Sequence, residues 1–397
     1  MTEAELREHM LRDPAPGESE AGERAWVIVR EAHAGRDRVP WVERHSRLIV
    51  VVALLAALAV AAVSPPGRAV VDTVREKVAE TPATEAPLDR LPAPGRLLVV
   101  SASGPWVVRD DGSKRLLGDF EDASWSPRGL FLVATEGNRL VTLDPNNGEV
   151  RWSLSRDEPI ADARWSGGGL DTRIAYRAGT ALHVVAGDGA PDAVLAENVP
   201  AVAPAWQPDS HVLAYAGSEE RIHVVDVDSG RELWRTARVG GIRQILFDEG
   251  RLLAVTLREI WVFGPHKRAL FKHVARGHSI LSVVLVPYSG VVFADYDEAE
   301  DATELIFPTC STSGACLLIP DIHVYRGAGR VGDLTSSPDG RWFAAASPQV
   351  DQFLFFRRLP RLGKVVSVSD VTREFGPGGK GVEPFPRIAG WAGAPAD

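Results

Sequence analysis

The chain has 397 residues, enough for one large domain plus appendages, and carries a formal net charge of −9. That acidic balance argues against a nucleic-acid partner, which would need a basic surface. Aromatic residues are few, yet eleven Trp stand against five Tyr.

Residues 1–47 read as a short tail. Its first part is acidic and polar, and GERAWVIVREAHA at 22–34 has the apolar spacing of a short helix, with Trp26 beside the stripe. Then comes LIVVVALLAALAVAAV, Leu48 to Val63, sixteen apolar residues without interruption. As a helix it would be roughly 24 Å long, against a hydrocarbon core of about 30 Å. Ten of its residues are Leu, Ile or Val. Each favours insertion by roughly 0.3–0.6 kcal/mol, so the sum is about −3 to −6 kcal/mol. This predicts a single transmembrane helix, with the missing length met by snorkelling Arg47 and Arg68 or by local thinning. Arg36, Arg38, Arg44 and Arg47 before the span, against Arg68, Arg75 and Lys77 after it, place the N-terminus in the cytoplasm. A preceding region of 47 residues is too long for a cleaved signal peptide, despite the Ala59-Val60-Ala61 triplet.

Residues 64–94 read as a juxtamembrane helix, with Val70, Val74 and Val78 on one face, followed by a proline-rich spacer, TPATEAPLDRLPAPG. The spacer is expected to hold the next domain off the bilayer.

From Gly95 the pattern changes to short apolar runs punctuated by Gly, Asp, Asn and Pro, and a repeat appears. Its anchors are Trp125, Trp165, Trp206, Phe247, Leu285, Ser336 and Trp391, with intervals of 40, 41, 41, 38 and 51 residues between the first six. Each anchor precedes a turn rich in Pro, Gly or Asp, then a strand, then a second strand ending near an Asp. Asn147-Gly148 and Ser229-Gly230 mark a tight turn into a further strand that carries Trp152 or Trp234. Such a unit is a four-stranded antiparallel sheet, and radial stacking buries both of its faces. Residues 95–117 give three strands without an anchor strand, and 386–393 an anchor strand alone; together they would close the ring. The expected fold is an all-β, seven-bladed β-propeller over 95–393, with six or eight blades as alternatives.

The turns WSPRG at 125–129 and SPDG at 337–340 resemble those of TolB-like and WD-repeat propellers. LDPNNGEVRW and VDVDSGRELW resemble the turn and strand of quinoprotein-type propellers. The whole layout is similar to membrane-anchored WD-repeat proteins of high-GC bacteria. The resemblance implies a fold and is nearly silent on activity.

Sites of chemistry are sparse. No G-x-S-x-G motif occurs, and no room remains for a separate hydrolase domain. His183, His211, His223, His266, His273, His278 and His323 show no helical metal-pair spacing. DYDEAEDATE at 295–304 carries six carboxylates but lacks the glycine and ligand order of an EF-hand loop, so it reads as a solvated hairpin tip. The basic run from His266 to His278 reads as an outer strand and turn. Cys310 and Cys316 flank a Ser/Thr/Gly turn and would form a loop-stapling disulfide outside the membrane. The Trp-bearing strands raise the question of a quinone cofactor, but no matching constellation of ligands accompanies them.

No catalytic residue, cofactor or metal is therefore expected. The expected function is non-enzymatic: a single-pass protein of the cell membrane whose extracytoplasmic propeller binds or senses a protein or ligand. The expected contacts are the bilayer, through Leu48 to Val63, and a protein partner. Two alternatives stand beside it. One is a transmembrane regulator of a cytoplasmic factor, anti-sigma-like, acting through the Trp26 helix. The other is a propeller enzyme with its site at the central funnel.

Overall fold

The structure is a computed structural model. It describes residues 84–86, 88, 90–166, 171–248, 250–264, 269–274, 277–286, 290–307, 322–357, 365–376 and 384–393. The expected helices at 22–34, 48–63 and 68–80 and the Cys310–Cys316 staple lie outside the described residues. Among the described residues no helix is long and apolar enough to cross a membrane.

Runs such as LLVV at 97–100, LLAV at 252–255 and FLFF at 353–356 are apolar at every position, so a strand made of them has to be covered on both faces. Seven sheets stacked around an axis achieve this. The inner strands are Arg387–Ala392 in blade 1, Asp122–Trp125 in blade 2, Ile160–Trp165 in blade 3 and Ala205–Trp206 in blade 4. Blades 5, 6 and 7 have Gln244–Asp248, His278–Val286 and Gly332–Ser336. Each inner strand pairs outward with three further antiparallel strands, and each touches the inner strand of the next blade, so the ring closes.

Alternation then divides the core. Leu97 and Val99 face blade 7 while Leu98 faces blade 2; Phe353 and Phe355 face blade 1 while Leu354 and Phe356 face blade 6. The buried apolar residues form seven clusters, one between each pair of neighbouring blades. The expected count of seven blades stands, and six and eight are excluded.

Blade 1 is built as the sequence requires: Arg387–Ala392 pairs with Arg96–Ser101, which continues to Gly104–Arg109 and Lys114–Leu116. Arg96 sits at this seam. It is only 4% exposed, its guanidinium lies 4.9 Å over the Trp125 ring, and Nη2 donates to the carbonyl of Gly129.

The proline-rich stretch departs from expectation. Thr84–Ala86 pairs in parallel with Val365–Ser369 as a fifth strand of blade 7. Leu88 and Leu91, 2% and 3% exposed, are buried with Phe353, Phe355, Val371 and Phe375 between blades 7 and 1. The Leu91 N–H donates to the Asp110 carbonyl at 3.1 Å. From Thr84 onward the stretch is thus a strap docked on the propeller, not a free spacer. Pro92 and Pro94 lie outside any strand, where no ladder donor is needed, and the leucines fill a groove that composition alone does not reveal.

Candidate functional site

All seven anchors lie on the inner strands, at or next to their last residue. Inner strands therefore end on one side of the ring, here called the anchor face. Strand alternation puts the inner-to-second and third-to-outer turns on that face; the other turns and the blade-to-blade connections lie on the opposite face. Trp206 donates its indole N–H to the Arg164 carbonyl of the preceding blade at 2.9 Å. Ser336, which has no ring to wedge, donates its hydroxyl to the Leu285 carbonyl at 3.1 Å. Each links its own blade to the one before.

The serine after an anchor shapes the following turn. In blade 2 the Phe131 N–H donates to Ser126 Oγ at 2.9 Å, and the Ser126 N–H donates to the Phe131 carbonyl at 2.9 Å. Ser166 and Ser337 do the same in blades 3 and 7. In blade 2 this closed turn thrusts two large apolar side chains outward: Leu130 is 46% exposed and Phe131 36%. Phe131 is stacked on Trp165 of blade 3 at 6.1 Å and 17°.

Beside them opens a cleft of about 590 Å³ between the turns of blades 2 and 3. One wall is the third-to-outer turn of blade 3, held by the Trp152 indole N–H, which donates to the Gly187 carbonyl at 2.9 Å. Gly189, at φ +99°, lies so close to the same ring that a Cβ would come within 3.0 Å of it. Trp152 and Trp234 thus do structural work; both pack at blade interfaces.

The cleft's rim is charged and cross-braced. Arg173 is paired with Asp171 and, at 3.1 Å, with Asp228 of blade 4. His211 contacts Asp228 through Nδ1 at 2.5 Å and the Asp171 carbonyl through Nε2 at 2.6 Å. Burial pulls the His211 pKa down, but the hydrogen bonds to Asp228 and to the Asp171 carbonyl outweigh it, and the net direction is up. An imidazolium donating from both nitrogens fits this arrangement. Arg128, Asp188 and Asp209 are exposed along the same rim. Asp226 and Asp228 were readable in the sequence as an acidic turn; the reach of Asp228 into blade 3 was not.

The inner strands carry a second polar set that the sequence reading passed over. Three residues before the anchor stand Asp122, Asp162, Gln244, Ser282 and Asp333. The repeated DASW, DARW and DLTS strings were the available signal. The Asp122 carboxylate holds Arg387 of blade 1 at 2.5 Å and Arg164 of blade 3 at 3.5 Å. Asp333, in left-handed backbone at φ +50°, has its carboxyl pushed up by burial, against the pull of the Arg387 guanidinium and the Ile388 N–H.

The remaining sequence candidates resolve into braces. His183 and His223 occupy third strands, stacked on Tyr176 at 5.1 Å and Tyr215 at 5.2 Å. His223 lies between Glu219 at 2.5 Å and Glu232 at 2.6 Å. In the acidic hairpin of blade 6, His278 holds Asp295 at 2.8 Å, His323 holds Glu304 at 2.7 Å, and Arg326 is paired with Glu300. Ala269–Val274, within the basic run, is the outer strand of blade 5.

No protein-family model matches the sequence, and no curated protein matches it. Solved structures do match the fold. The C-terminal WD40 domain of Sif2 is 14% identical, with 72% of this chain and 86% of that one covered, at a TM-score of 0.52. Hsv2 of Kluyveromyces lactis is 9% identical, with 69% and 93% covered, at a TM-score of 0.51. At such identities the likeness concerns architecture alone. The described chain is a seven-bladed β-propeller with WD40 domains among its structural neighbours.

Proposed function

We propose that this protein is a membrane-anchored, extracytoplasmic propeller that binds a partner protein in the anchor-face cleft between blades 2 and 3. The observation that carries the reading is the pair Leu130 and Phe131. A turn closed by Ser126 places both in solvent beside a 590 Å³ cleft. Large apolar side chains exposed together on a rigid turn, within a polar rim, suit the centre of a binding patch. The occupant that fits is a partner segment presenting one large apolar side chain to Phe131. The anchoring part of the reading is supported by the apolar run Leu48 to Val63 and by the arginines before it. The reading is non-enzymatic, with the cleft acting as a docking surface.

The test is photocrosslinking of the full-length chain in membranes, with a photoreactive residue at position 130 or, as a control, at Leu257, equally exposed in a turn of the opposite face. One protein should crosslink from position 130 and not from 257, and Phe131→Ser should abolish the product. Identical products from both positions would refute the cleft. Protease added to intact cells should digest the propeller; protection of the propeller would refute the topology.

A further inference from the structure

The outermost strand of a blade has an open edge, and an open edge recruits a further strand unless something blunts it. Blades 1, 2, 4, 5 and 6 blunt theirs with basic residues. Their outer strands, Lys114–Leu116, Val150–Ser155, Arg231–Arg235, Ala269–Val274 and Ile322–Ala328, carry Lys114, Arg151, Arg231, Lys272 and Arg326. The third strand of blade 7, Val365–Ser369, reads VVSVS and has no charge, and there Thr84–Ala86 of the same chain adds a strand. The molecule thus shows within itself what an unguarded edge attracts.

Blade 3 has the other edge without a basic residue. Its outer strand, Asp192–Ala196, reads DAVLA and pairs on one side only. Asp192 does not guard it, because its carboxylate is engaged inside the blade group: the Tyr176 hydroxyl donates to it at 3.0 Å and Arg156 is paired with it. Val194, at 54%, is the most exposed large apolar side chain among the described residues. The Ala186 N–H donates to the Pro191 carbonyl at 3.0 Å, and the pairing continues as Val185 with Asp192, Val184 with Ala193 and His183 with Val194. Antiparallel alternation then turns the N–H and C=O of Ala193 inward and those of Asp192 and Val194 outward. This free stretch of three residues equals the length over which Thr84–Ala86 pairs with blade 7. The register shift beyond Val194 has counterparts on the outer strands of blades 2, 4, 5 and 6, so it does not distinguish this edge.

The edge begins at the cleft, since Ala190 and Pro191 line the cleft and lead directly into Asp192. Charge selects the occupant. Asp188 before the strand and Glu197 after it are exposed and make no ion pair. A second copy laid antiparallel across Val194 would bring Glu197 of each copy toward Asp188 of the other, acid toward acid. A foreign strand with basic ends meets both favourably.

We propose that the outer edge of blade 3 takes up, by strand addition, an extended segment of the partner protein, apolar at alternate positions over Val194 and carrying Lys or Arg at its ends. Resting on the cleft reading, this makes the segment that reaches Phe131 the continuation of a strand. Backbone bonds to Asp192 and Val194 supply affinity, and the side chain beside Val194 supplies selectivity.

The test uses the full chain in membranes, with a photoreactive residue at position 194, at 130, or at 116 on the outer strand of blade 1, where Leu116 is 41% exposed. Positions 194 and 130 should give the same crosslinked protein and 116 should not. The peptide joined to position 194 should show alternating apolar residues bounded by Lys or Arg. With the photoreactive residue at 130, Val194→Lys should cut the product about tenfold, while Val194→Ile and Leu116→Lys leave it unchanged. In the purified product from 130, the Val194 amide should exchange about tenfold more slowly than in the free chain. A product from 130 that survives Val194→Lys, with Val194 exchange unchanged, overturns the strand addition and leaves the cleft standing. A product from 194 with none from 130 sustains the strand addition and overturns the cleft. No product from either overturns both, and a peptide of this same chain at 194 replaces the foreign strand by a second copy and overturns the proposal. Should Val194→Lys fold poorly, exchange at Val194 in the product decides alone.

Discussion

Leu91→Ala tests whether the strap is part of the propeller. Leu91 is 3% exposed among aromatic residues of blades 7 and 1. The substitution removes three carbons, worth about 0.8 kcal/mol each in transfer, or about 2.4 kcal/mol. A cavity term brings the usual range for a buried leucine to about 2–5 kcal/mol. The strap is short and can lift off without unfolding the ring, so its docking free energy caps the loss. Hydrogen exchange of the Leu91 amide, which donates to Asp110, reads this opening directly. A loss of about 2–4 kcal/mol, at tenfold per 1.4 kcal/mol, predicts exchange roughly 30- to 700-fold faster. Arg90, exposed next to Leu91, should at the same time become a tryptic site in the variant. A free spacer would show neither effect, since substitutions away from packed features stay within about 0.5 kcal/mol. Acceleration of less than about threefold, with unchanged trypsin resistance, would refute the docked strap.

The same seam allows a paired glycine experiment. Gly129 and Gly137 have similar left-handed backbones, φ +66° and +55°, but a Cβ at Gly129 would meet the Ala392 Cβ at 2.8 Å and Arg96 Nη2 at 3.0 Å, and at Gly137 nothing. Gly137→Ala should cost about 1 kcal/mol in urea unfolding and Gly129→Ala at least about 1 kcal/mol more. Thr303 is fully buried, donating to the Gly329 carbonyl at 2.5 Å and accepting from the Val331 N–H at 3.0 Å. Thr303→Val strands both groups and should cost about 1–3 kcal/mol in the same assay. The raised pKa of His211 means that the folded state holds its proton more tightly than the unfolded chain. Its contribution is complete below about pH 6.5 and disappears as pH rises through the folded pKa. His211→Gln should therefore destabilise more at pH 6 than at pH 9. Asp228 is half exposed, so the difference should stay within about 1 kcal/mol, and equal costs at both pH values would contradict the pairing.

The ring could be read from sequence because each blade repeats a local signal: an anchor, a turn, and strands at near-constant spacing. Even the split blade followed, since 95–117 lacked an inner strand and 386–393 lacked everything else. Edges were less exact. In the apolar run Leu130 to Ala134 only the residues from Leu132 enter the strand Leu132–Glu136, and Phe131 belongs to the turn. The strap escaped because proline content reports chain stiffness, while the burial of Leu88 and Leu91 depends on a groove whose far wall, Phe353, Phe355, Val371 and Phe375, comes from a distant part of the sequence. The site escaped for a similar reason. Phe131 meets Trp165, and Asp228 meets Arg173, only across blade boundaries, and nothing in one repeat announces what the next will place beside it.

The seam in blade 1 also imposes an order in time. Arg96 reaches the carbonyl of Gly393, its partner 297 positions downstream. As the polypeptide emerges from its N-terminal end, the strand Arg96–Ser101 waits with a bare edge until Arg387–Ala392 arrives to cover it. Closing the circle is therefore a loop closure over most of the propeller's sequence, with the slow folding that long-range pairing entails. A chain cut short before Arg387 would leave an open ring with a sticky flank. That one late strand thus decides whether the blades made before it become a finished wheel or an aggregation seed.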